Sequence, residues 1–334
     1  MVYLAARRAE ASGTRMNARN ALILLALTVL YVAVPTLLGS NLYVMSLLVA
    51  SIAIGGVALA WALLGNLGGM VSFGHAAFFG VGSYVSALLT MKLGVPVFAA
   101  ILLGGVGAAL ASLVMLPTLR LKGPYFALAI LAYAQIFRIL ATEWKSVTGG
   151  AGGLSNIPRL PIIAGVDFGS KIGNYIVIVT IVLIFAVIYQ RIRASHYGTA
   201  LRAMHDAEDA TRIVGVNSTL LKAMMLLVSA FMTGVVGAFN AHYINFLEPD
   251  YGFSGLWSTL PIVAAIFGGY RTILGPVIGA VFVYLIDQLV FKSFIPSGHQ
   301  IMLGALLAGM VLFSPTGLLP WVIDKFRRAR NAAT

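Results

Sequence analysis

The sequence predicts an all-α polytopic membrane protein, and three observations lead to that prediction. Of the 334 residues, 60% are hydrophobic and only 10% are charged, whereas soluble domains carry about 25% charged residues. The mean hydropathy is +0.96. Apolar stretches of about 18 to 23 residues recur, and a helix needs about 20 residues to cross the ~30 Å hydrocarbon layer. A soluble fold is therefore excluded, and the sequence lacks the long alternating strands that a membrane barrel requires.

About ten transmembrane helices can be drawn along the chain. The first follows an arginine-rich arm, is longer than a signal-peptide core and has no small-x-small cleavage site after it, so we read it as a retained span. The eighth contains Pro261, Gly268 and Gly269 and is short for a full crossing. It is either a half-helix or one part of a broken pair with the ninth. The predicted spans are 21–38, 42–64, 71–91, 96–116, 124–142, 172–190, 223–244, 256–270, 273–291 and 300–319.

The distribution of Lys and Arg indicates how these spans are oriented. The formal net charge of +12 would suit a nucleic-acid partner, but the basic residues lie between and beyond apolar spans and form no stripe on a soluble domain. They therefore indicate membrane orientation, and we expect no nucleic acid. With the N-terminus inside, sixteen of the 22 Lys and Arg fall on the inner side. We expect both termini to be cytoplasmic.

This orientation divides the chain into three parts and singles out one loop. The parts are a cytoplasmic arm at 1–20, a transmembrane domain at 21–320 and a cytoplasmic tail at 321–334. Residues 191–222, the polar segment, hold five of the 22 Lys and Arg and three of the ten acids between two strongly apolar spans. A loop this long costs conformational entropy and is seldom without function. We therefore interpret the polar segment as a docking surface for a cytoplasmic partner.

Within the polar segment the residues predict one or two short helices. Thr199–Ile213 is rich in helix formers, and Glu208 and Arg212 stand at i,i+4 spacing, which favours an ion pair. Gly215 is suited to end a helix. The clustered acids argue against an anionic lipid surface and favour a protein groove. The expected apolar contacts are Leu201, Met204, Ile213 and Val214.

Small residues at four-residue spacing predict which spans lie at the centre. No hydrophobic drive brings helices together in lipid, so close backbone approach at small residues holds a bundle together. One such row lies in the third span and another in the seventh, which we place in the middle. The rows are Ser72, Ala76 and Gly80, and Ser229, Thr233, Gly237 and Ala241.

The glycine-rich stretch Gly65–Tyr84 is the main candidate for chemistry within the spans. Gly69–His75 reads G-x-x-x-x-G-H, which lacks the Lys and Ser or Thr of a phosphate-binding loop, so the chain does not hydrolyse ATP by itself. The stretch either faces a substrate path or packs tightly, and chemistry alone favours packing. His75 is likewise a proton relay or, with no acid nearby in sequence, a packing residue. Asp287 is the only acid well inside a span.

The chain has no cysteines, which excludes disulfides, zinc–thiolate sites and thiol catalysis. No spacing of His, Asp and Glu indicates a metal site, and no paired acids or nucleophile–base spacing support an intramembrane enzyme. The sequence predicts neither a metal nor a cofactor in this chain.

Several motifs in one order resemble the permeases of branched-chain amino-acid ABC transporters, of the LivM type rather than the shorter LivH type. They are GNLGGMVSFGHAAFFGVGSYVSALL, RLKGPYFALAILAYAQIFRIL, WKSVTGGAGGLSNIP, the polar segment and GVVGAFNAHYINFLEPDYGFSGLWSTLPIVAAIFGGYRTILGPVIGA. The resemblance covers about Val57 to Gly317. It implies a type II-like importer bundle in a bacterial inner membrane. It also implies a LivH-like sister permease, two cytoplasmic ATPase subunits that bind ATP and Mg, and an extracytoplasmic substrate-binding protein.

The resemblance also assigns a role to the polar segment. Its stretch RAMHDAEDATRIVGVN stands where the family's coupling loop inserts a short helix into an ATPase groove. Asp206, Ala210 and Gly215 look like that loop's marker residues, although the family often has Asn in place of Asp206. The residues expected to couple to the ATPase are Arg202, Asp206, Glu208, Ala210, Arg212 and Gly215.

The function that follows is a permease subunit that moves branched-chain or related small amino acids inward by alternating access. The alternative is a secondary carrier or channel for a small neutral solute such as urea or an amide. For a proton- or sodium-driven carrier, however, the spans offer few ionisable groups. The side chains expected to line the substrate path are Asn66, Ser72, His75, Gln135 and Asn240.

Overall fold

The computed structural model describes residues 26–121, 123–296, 298–313 and 317–321. Most of the cytoplasmic arm and tail predicted from the sequence therefore lies outside the described residues. Of the described residues, those up to Met45 form one compact unit and those from Ser46 onward form a second. Within the described residues the fold is helical, with strands of only two residues each. The predicted all-α class is confirmed.

Twelve helices carry the described fold, apart from one-turn pieces. Four of them include turns of other geometry: π-helical turns at Val29–Ala33, Leu63–Leu67 and Asp287–Phe291, and a 3₁₀ stretch at Leu113–Arg120. The helices are α1 Ala26–Leu38, α2 Leu42–Leu67, α3 His75–Leu93, α4 Val97–Arg120, α5 Pro124–Glu143, α6 Lys171–Ala194, α7 His196–Asp206, α8 Glu208–Ile213, α9 Ser218–Ile244, α10 Leu256–Gly268, α11 Gly275–Phe294 and α12 His299–Phe313.

Eight stretches in the described part of the chain are long and apolar enough to cross a membrane, and two shorter apolar helices accompany them. The shorter ones are Ala26–Leu38 and His299–Met310. The eighth predicted span, 256–270, is one uninterrupted helix, α10, which has only 13 residues and is short as expected. A single turn at Pro249–Gly252 precedes α10, and only together do they form a candidate span of 20 residues. Gly269, with a positive φ of 103°, ends α10.

Helices α3, α4 and α9 pack at glycines along their shared faces. A methyl group at Gly82 would overlap the backbone of Gly234, and one at Gly104 would meet the carbonyl oxygen of Gly82. A methyl at Gly237 would overlap the backbone of Phe79. Such close approach is what small residues permit in lipid. The predicted central place of the third and seventh spans is confirmed.

Four short strands organise the loops. Strands β1 (Leu154–Ser155) and β4 (Phe246–Leu247) pair antiparallel, as do β2 (Ile162–Ile163) and β3 (Val166–Asp167). His242 on α9 attaches the loop that follows β1 to the bundle. Its Nδ1 donates to the carbonyl of Pro158 at 2.7 Å, and its Nε2 accepts from the Ser86 hydroxyl at 2.9 Å. Because a carbonyl oxygen only accepts, the ring tautomer is fixed.

The glycine contact between α3 and α9 gives a stability prediction. Gly237→Ala places a methyl against the Phe79 carbonyl and should destabilise the protein by about 1–3 kcal/mol, as overpacking does. The measurement is thermal unfolding in detergent. The control is Gly304→Ala on α12, where a methyl meets no atom within 4 Å. Equal melting temperatures for the two variants would contradict the packing argument.

Candidate functional site

The polar segment folds into two short helices held between the ends of α6 and α9. Ser195 caps α7 by accepting from the Gly198 amide at 3.3 Å, and Asn217 caps α9 by accepting from the Leu220 amide at 3.0 Å. The prediction of one or two helices is confirmed. The helix-rich stretch Thr199–Ile213 divides into two helices at Ala207, whose φ of −154° and ψ of 86° are not helical.

One face of α7 is fixed to the transmembrane unit. Leu201 and Met204 are buried, and His205 lies against Gly69, where a methyl would touch its ring. Ile213 and Val214 instead project outward, with exposed fractions of 87% and 77%. Of the four apolar residues expected to contact a partner, two are used within the chain and two remain available.

An ion pair ties α8 to the first turn of α9. Both carboxylate oxygens of Glu208 lie 2.8 Å from Nζ of Lys222, and Oε1 also accepts from Arg212 at 2.8 Å. Arg212 in turn donates to the Ser218 hydroxyl at 2.7 Å. The i,i+4 pair was predicted. Lys222 was not foreseen as a partner, because fourteen residues and a chain reversal separate it from Glu208.

The environment of Glu208 determines its protonation. Burial opposes ionisation, but the hydrogen bonds from Lys222 and the charges of Lys222 and Arg212 outweigh it, so the pKa of Glu208 lies below its ordinary value. A depressed carboxyl pKa adds stability above the unfolded-state pKa, and this stability is lost as pH falls through the folded-state pKa. The tie between α8 and α9 is therefore intact at neutral pH.

The other predicted coupling residues lie on the surface of the segment. Arg202 donates to the Thr199 hydroxyl at 3.3 Å, and Asp206 is exposed at the end of α7. Ala210 is exposed on α8, and Gly215 follows it with a positive φ of 88°. Glu208 and Arg212 differ from these because their side chains bond to residues of α9. Their role toward an ATPase stays a prediction.

Three of the predicted path residues are engaged around the glycine-rich stretch. Asn66 donates to the Tyr189 hydroxyl at 2.7 Å, which joins α2 to α6. The Ser72 hydroxyl accepts from the Gly74 amide at 3.3 Å and is fully buried. His75 is also buried, with Nε2 at 2.9 Å from the Ser229 hydroxyl. These contacts are those of packing residues.

The partner of His75 fixes the position of its ring proton. The Ser229 hydroxyl donates to the carbonyl of Ala60 at 2.9 Å, so its oxygen accepts from His75. His75 therefore carries its proton on Nε2. Its Nδ1 is buried and has no partner among the described residues.

The remaining two path residues lie elsewhere. Gln135 is exposed on α5 and accepts from Arg138 at 3.1 Å, and Arg138 pairs with Asp250 at 2.7 Å. Asn240 is buried on α9 and accepts from the Tyr251 hydroxyl at 2.8 Å. The structure thus spreads the five residues over separate contacts, and their lining of a path stays a prediction.

A cavity of about 710 Å³ lies beside the polar segment. The non-helical stretch Gly69–Phe73 forms one wall, the beginning of α5 forms another, and Glu208 and Lys222 stand at its edge. Of the five predicted path residues, none lines it. The predicted third span, 71–91, hid this cavity, because α3 begins only at His75 and leaves Val71 and Phe73 outside the helix.

Asp287 lies in the π-helical turn of α11, buried beside Gln288 and 3.9 Å from Nε2 of His299. Lys292 bonds to Gln288 at 3.0 Å. Among the described residues there is no group of three His, Cys, Asp or Glu placed to hold a metal ion.

The described residues thus form a multi-pass helical membrane protein with a helix pair held outside the spans. The family model of the branched-chain amino acid transport system permease component matches residues 43–313, most of the chain, and this protein belongs to that family. The resemblance to the LivM type is also confirmed by individual relatives. No solved structure matches the chain significantly.

The relatives are high-affinity branched-chain amino acid transport system permease proteins. The chain is 26% identical to LivM of Escherichia coli, over 94% of this chain and 78% of the relative. It is 27% identical to LivM of Salmonella typhimurium, over 76% of this chain and 65% of the relative, so that match spans just under two thirds of the relative's length. The chain is also 23% identical to LivH of Escherichia coli, over 79% of this chain and 90% of the relative.

The Glu208 tie predicts a local change on acidification. As pH falls through the depressed pKa of Glu208, α8 should lose protection from amide hydrogen exchange, corrected for intrinsic exchange rates. Glu208→Gln should show that loss already at pH 7, because the charge-assisted bonds to Lys222 and Arg212 are gone. Asp206→Asn, an exposed acid on α7, serves as the control. If α8 in the Glu208→Gln variant were as well protected at pH 7 as in the wild type, the proposed stabilisation of α8 by Glu208 would be refuted.

Proposed function

We propose that this chain is the transmembrane permease subunit of an ATP-driven importer for branched-chain or related small amino acids. Family membership supports a permease role. The observation that carries the rest is the α7–α8 pair, which is fastened to the spans on one side and exposes Ile213 and Val214 on the other. Contiguous exposed apolar residues beside charges are typical of a protein-binding site.

The geometry supports transmission of force from a partner to the spans. Leu201 and Met204 fix α7 to the bundle, and the Glu208–Lys222 pair links α8 to the first turn of α9. A partner that moves α8 therefore moves the base of the central helix α9. The partner ATPases bind ATP and Mg and supply the energy of hydrolysis. The permease residues convert their movement into alternating access, and this chain performs no covalent chemistry.

The proposed partners follow from the same arrangement. A LivH-like sister permease completes the path, and the two ATPase subunits dock on the cytoplasmic polar segments. An extracytoplasmic binding protein delivers substrate to the opposite side, where the Arg138–Asp250 pair and the β1–β4 loops are located. The charge asymmetry of the sequence supports cytoplasmic termini in a bacterial inner membrane.

The rival function is a secondary carrier or channel for urea, an amide or a similar neutral solute. The two differ in what they need to work. Liposomes containing the sister permease, both ATPases, the binding protein and this chain should take up leucine only with ATP, and this chain alone should transport nothing. Flux through the purified chain alone would favour the rival and overturn the proposal.

Docking at the exposed end of α8 gives a mutational prediction. Ile213→Asp with Val214→Asp places two charges where a partner would bury apolar surface, and it should lower ATPase co-purification and uptake at least tenfold. Both residues are exposed, so the melting temperature should stay close to wild type. Tyr197→Asp, an exposed site at the start of α7, is the control. Unchanged co-purification in the double variant would contradict the docking assignment.

A further inference from the structure

The cavity beside the polar segment has a rigid wall. Residues Gly69–Phe73 are not helical, and their exposure alternates along the chain: Val71 and Phe73 are exposed, whereas Met70 and Ser72 are buried. Val71 and Phe73 line the cavity. On the other side Trp61 Nε1 donates to the Ser72 carbonyl at 2.9 Å, and Gly74 fits so closely against Ile130 that a methyl would overlap it. The wall is preformed because its inward-facing residues are locked into the bundle.

The opposite wall is apolar. Leu128 and Leu131 on α5 line the cavity and are exposed, with exposed fractions of 62% and 38%. Together with Val71 and Phe73 they form a space suited to a branched or aromatic side chain. Its volume of about 710 Å³ falls within the ~300–1,000 Å³ of ordinary small-molecule sites.

Polar groups are few and stand at the cavity's margins. The amide N–H groups of Val71 and Phe73 make no hydrogen bond with any part of the chain that the structure describes. Non-helical backbone beside membrane spans is tolerated where it is buried in protein or lines a water-filled cavity. These two amides therefore offer donors to water or to a ligand.

The charged edge favours a ligand with a carboxylate. Glu208 faces two cations, Lys222 and Arg212, so the cluster carries one surplus positive charge. Lys222 is itself largely buried, with 11% of its side chain exposed. A small carboxylate can take a bond from Lys222, and an ammonium group on the same ligand can bond to Glu208.

We propose that this cavity is a substrate site of the permease on the side of the polar segment, and that it binds an apolar α-amino acid. The ligand's side chain lies between Phe73 and Leu128, its carboxylate faces Lys222, and its ammonium faces Glu208. This assignment rests on the proposed function. It adds a location, a set of contacts and a link to α8, because Glu208 belongs both to the cavity edge and to the docking helix pair.

The first test uses a leucine analogue with a diazirine in its side chain, applied to the complete wild-type transporter in liposomes. Irradiation should label residues 69–73 and 124–131, and excess leucine should reduce that labelling at least tenfold. Labelling confined to other segments would overturn the proposal. Labelling of the cavity that leucine leaves unchanged would also overturn it and would indicate a lipid acyl chain as occupant.

The second test fills the cavity. Leu128→Trp should reduce ATP-dependent leucine uptake at least tenfold and reduce alanine uptake less, because the smaller side chain still fits. Ile136→Trp is the matched control on α5, 56% exposed and outside the cavity, and should stay within twofold of wild type. Leucine uptake in Leu128→Trp equal to that of the control would overturn the site alone. Absence of ATP-dependent leucine uptake by the wild-type complex would overturn the proposed function, and the site with it.

Discussion

The close approach of α3, α4 and α9 is the constraint on which the other features depend. Lipid provides no hydrophobic force between helices, so van der Waals contact at small residues must hold the bundle. Gly82, Gly234 and Gly237 place backbones so near one another that a methyl at any of them would overlap a neighbour. This contact fixes the base of α9, and with it Ser229 and Lys222. Ser229 orients His75 at the start of α3, while Lys222 holds α8. The central helix thus positions both the glycine-rich stretch and the polar segment.

The Glu208–Lys222 pair fixes α8, and so the polar segment, to the central helix α9. Both side chains are mostly buried, with exposed fractions of 18% and 11%, so the charges are shielded from solvent and depend on each other. Removing one partner of such a pair leaves an uncompensated charge, which costs far more than an exposed pair contributes. The polar segment is therefore part of the transmembrane unit rather than a loose loop. Its outer end, with Ile213 and Val214, is the part left for a partner.

The sequence was sufficient for features that depend on local composition. Apolar length located the spans, four-residue rows of small residues located the central helices, and i,i+4 spacing located the Glu208–Arg212 pair. What it missed depends on segments distant in sequence. Ser229 is 154 residues from His75, and Tyr189 is 123 residues from Asn66, so no periodicity could show that these polar groups bond to each other. The cavity escaped prediction for the same reason, since its walls come from three separate stretches. The sequence left open whether the polar segment forms one helix or two, because Ala207, where the break lies, is a strong helix former.

The cavity's two sides differ in how they are held, and this difference has a mechanical consequence. The Val71–Phe73 wall is anchored by Trp61 and Ile130 within the bundle, whereas the charged edge joins Lys222 of α9 to Glu208 of the short helix α8. On the proposed assignment a bound substrate bridges Lys222 and Glu208, so the contact between α9 and α8 changes with substrate occupancy. Linkage makes the effect mutual: a partner that draws α8 away must change substrate affinity by the same factor. Lys222, which is largely buried, then connects substrate binding to the ATPase subunits. This coupling needs no chain of ionisable groups through the spans.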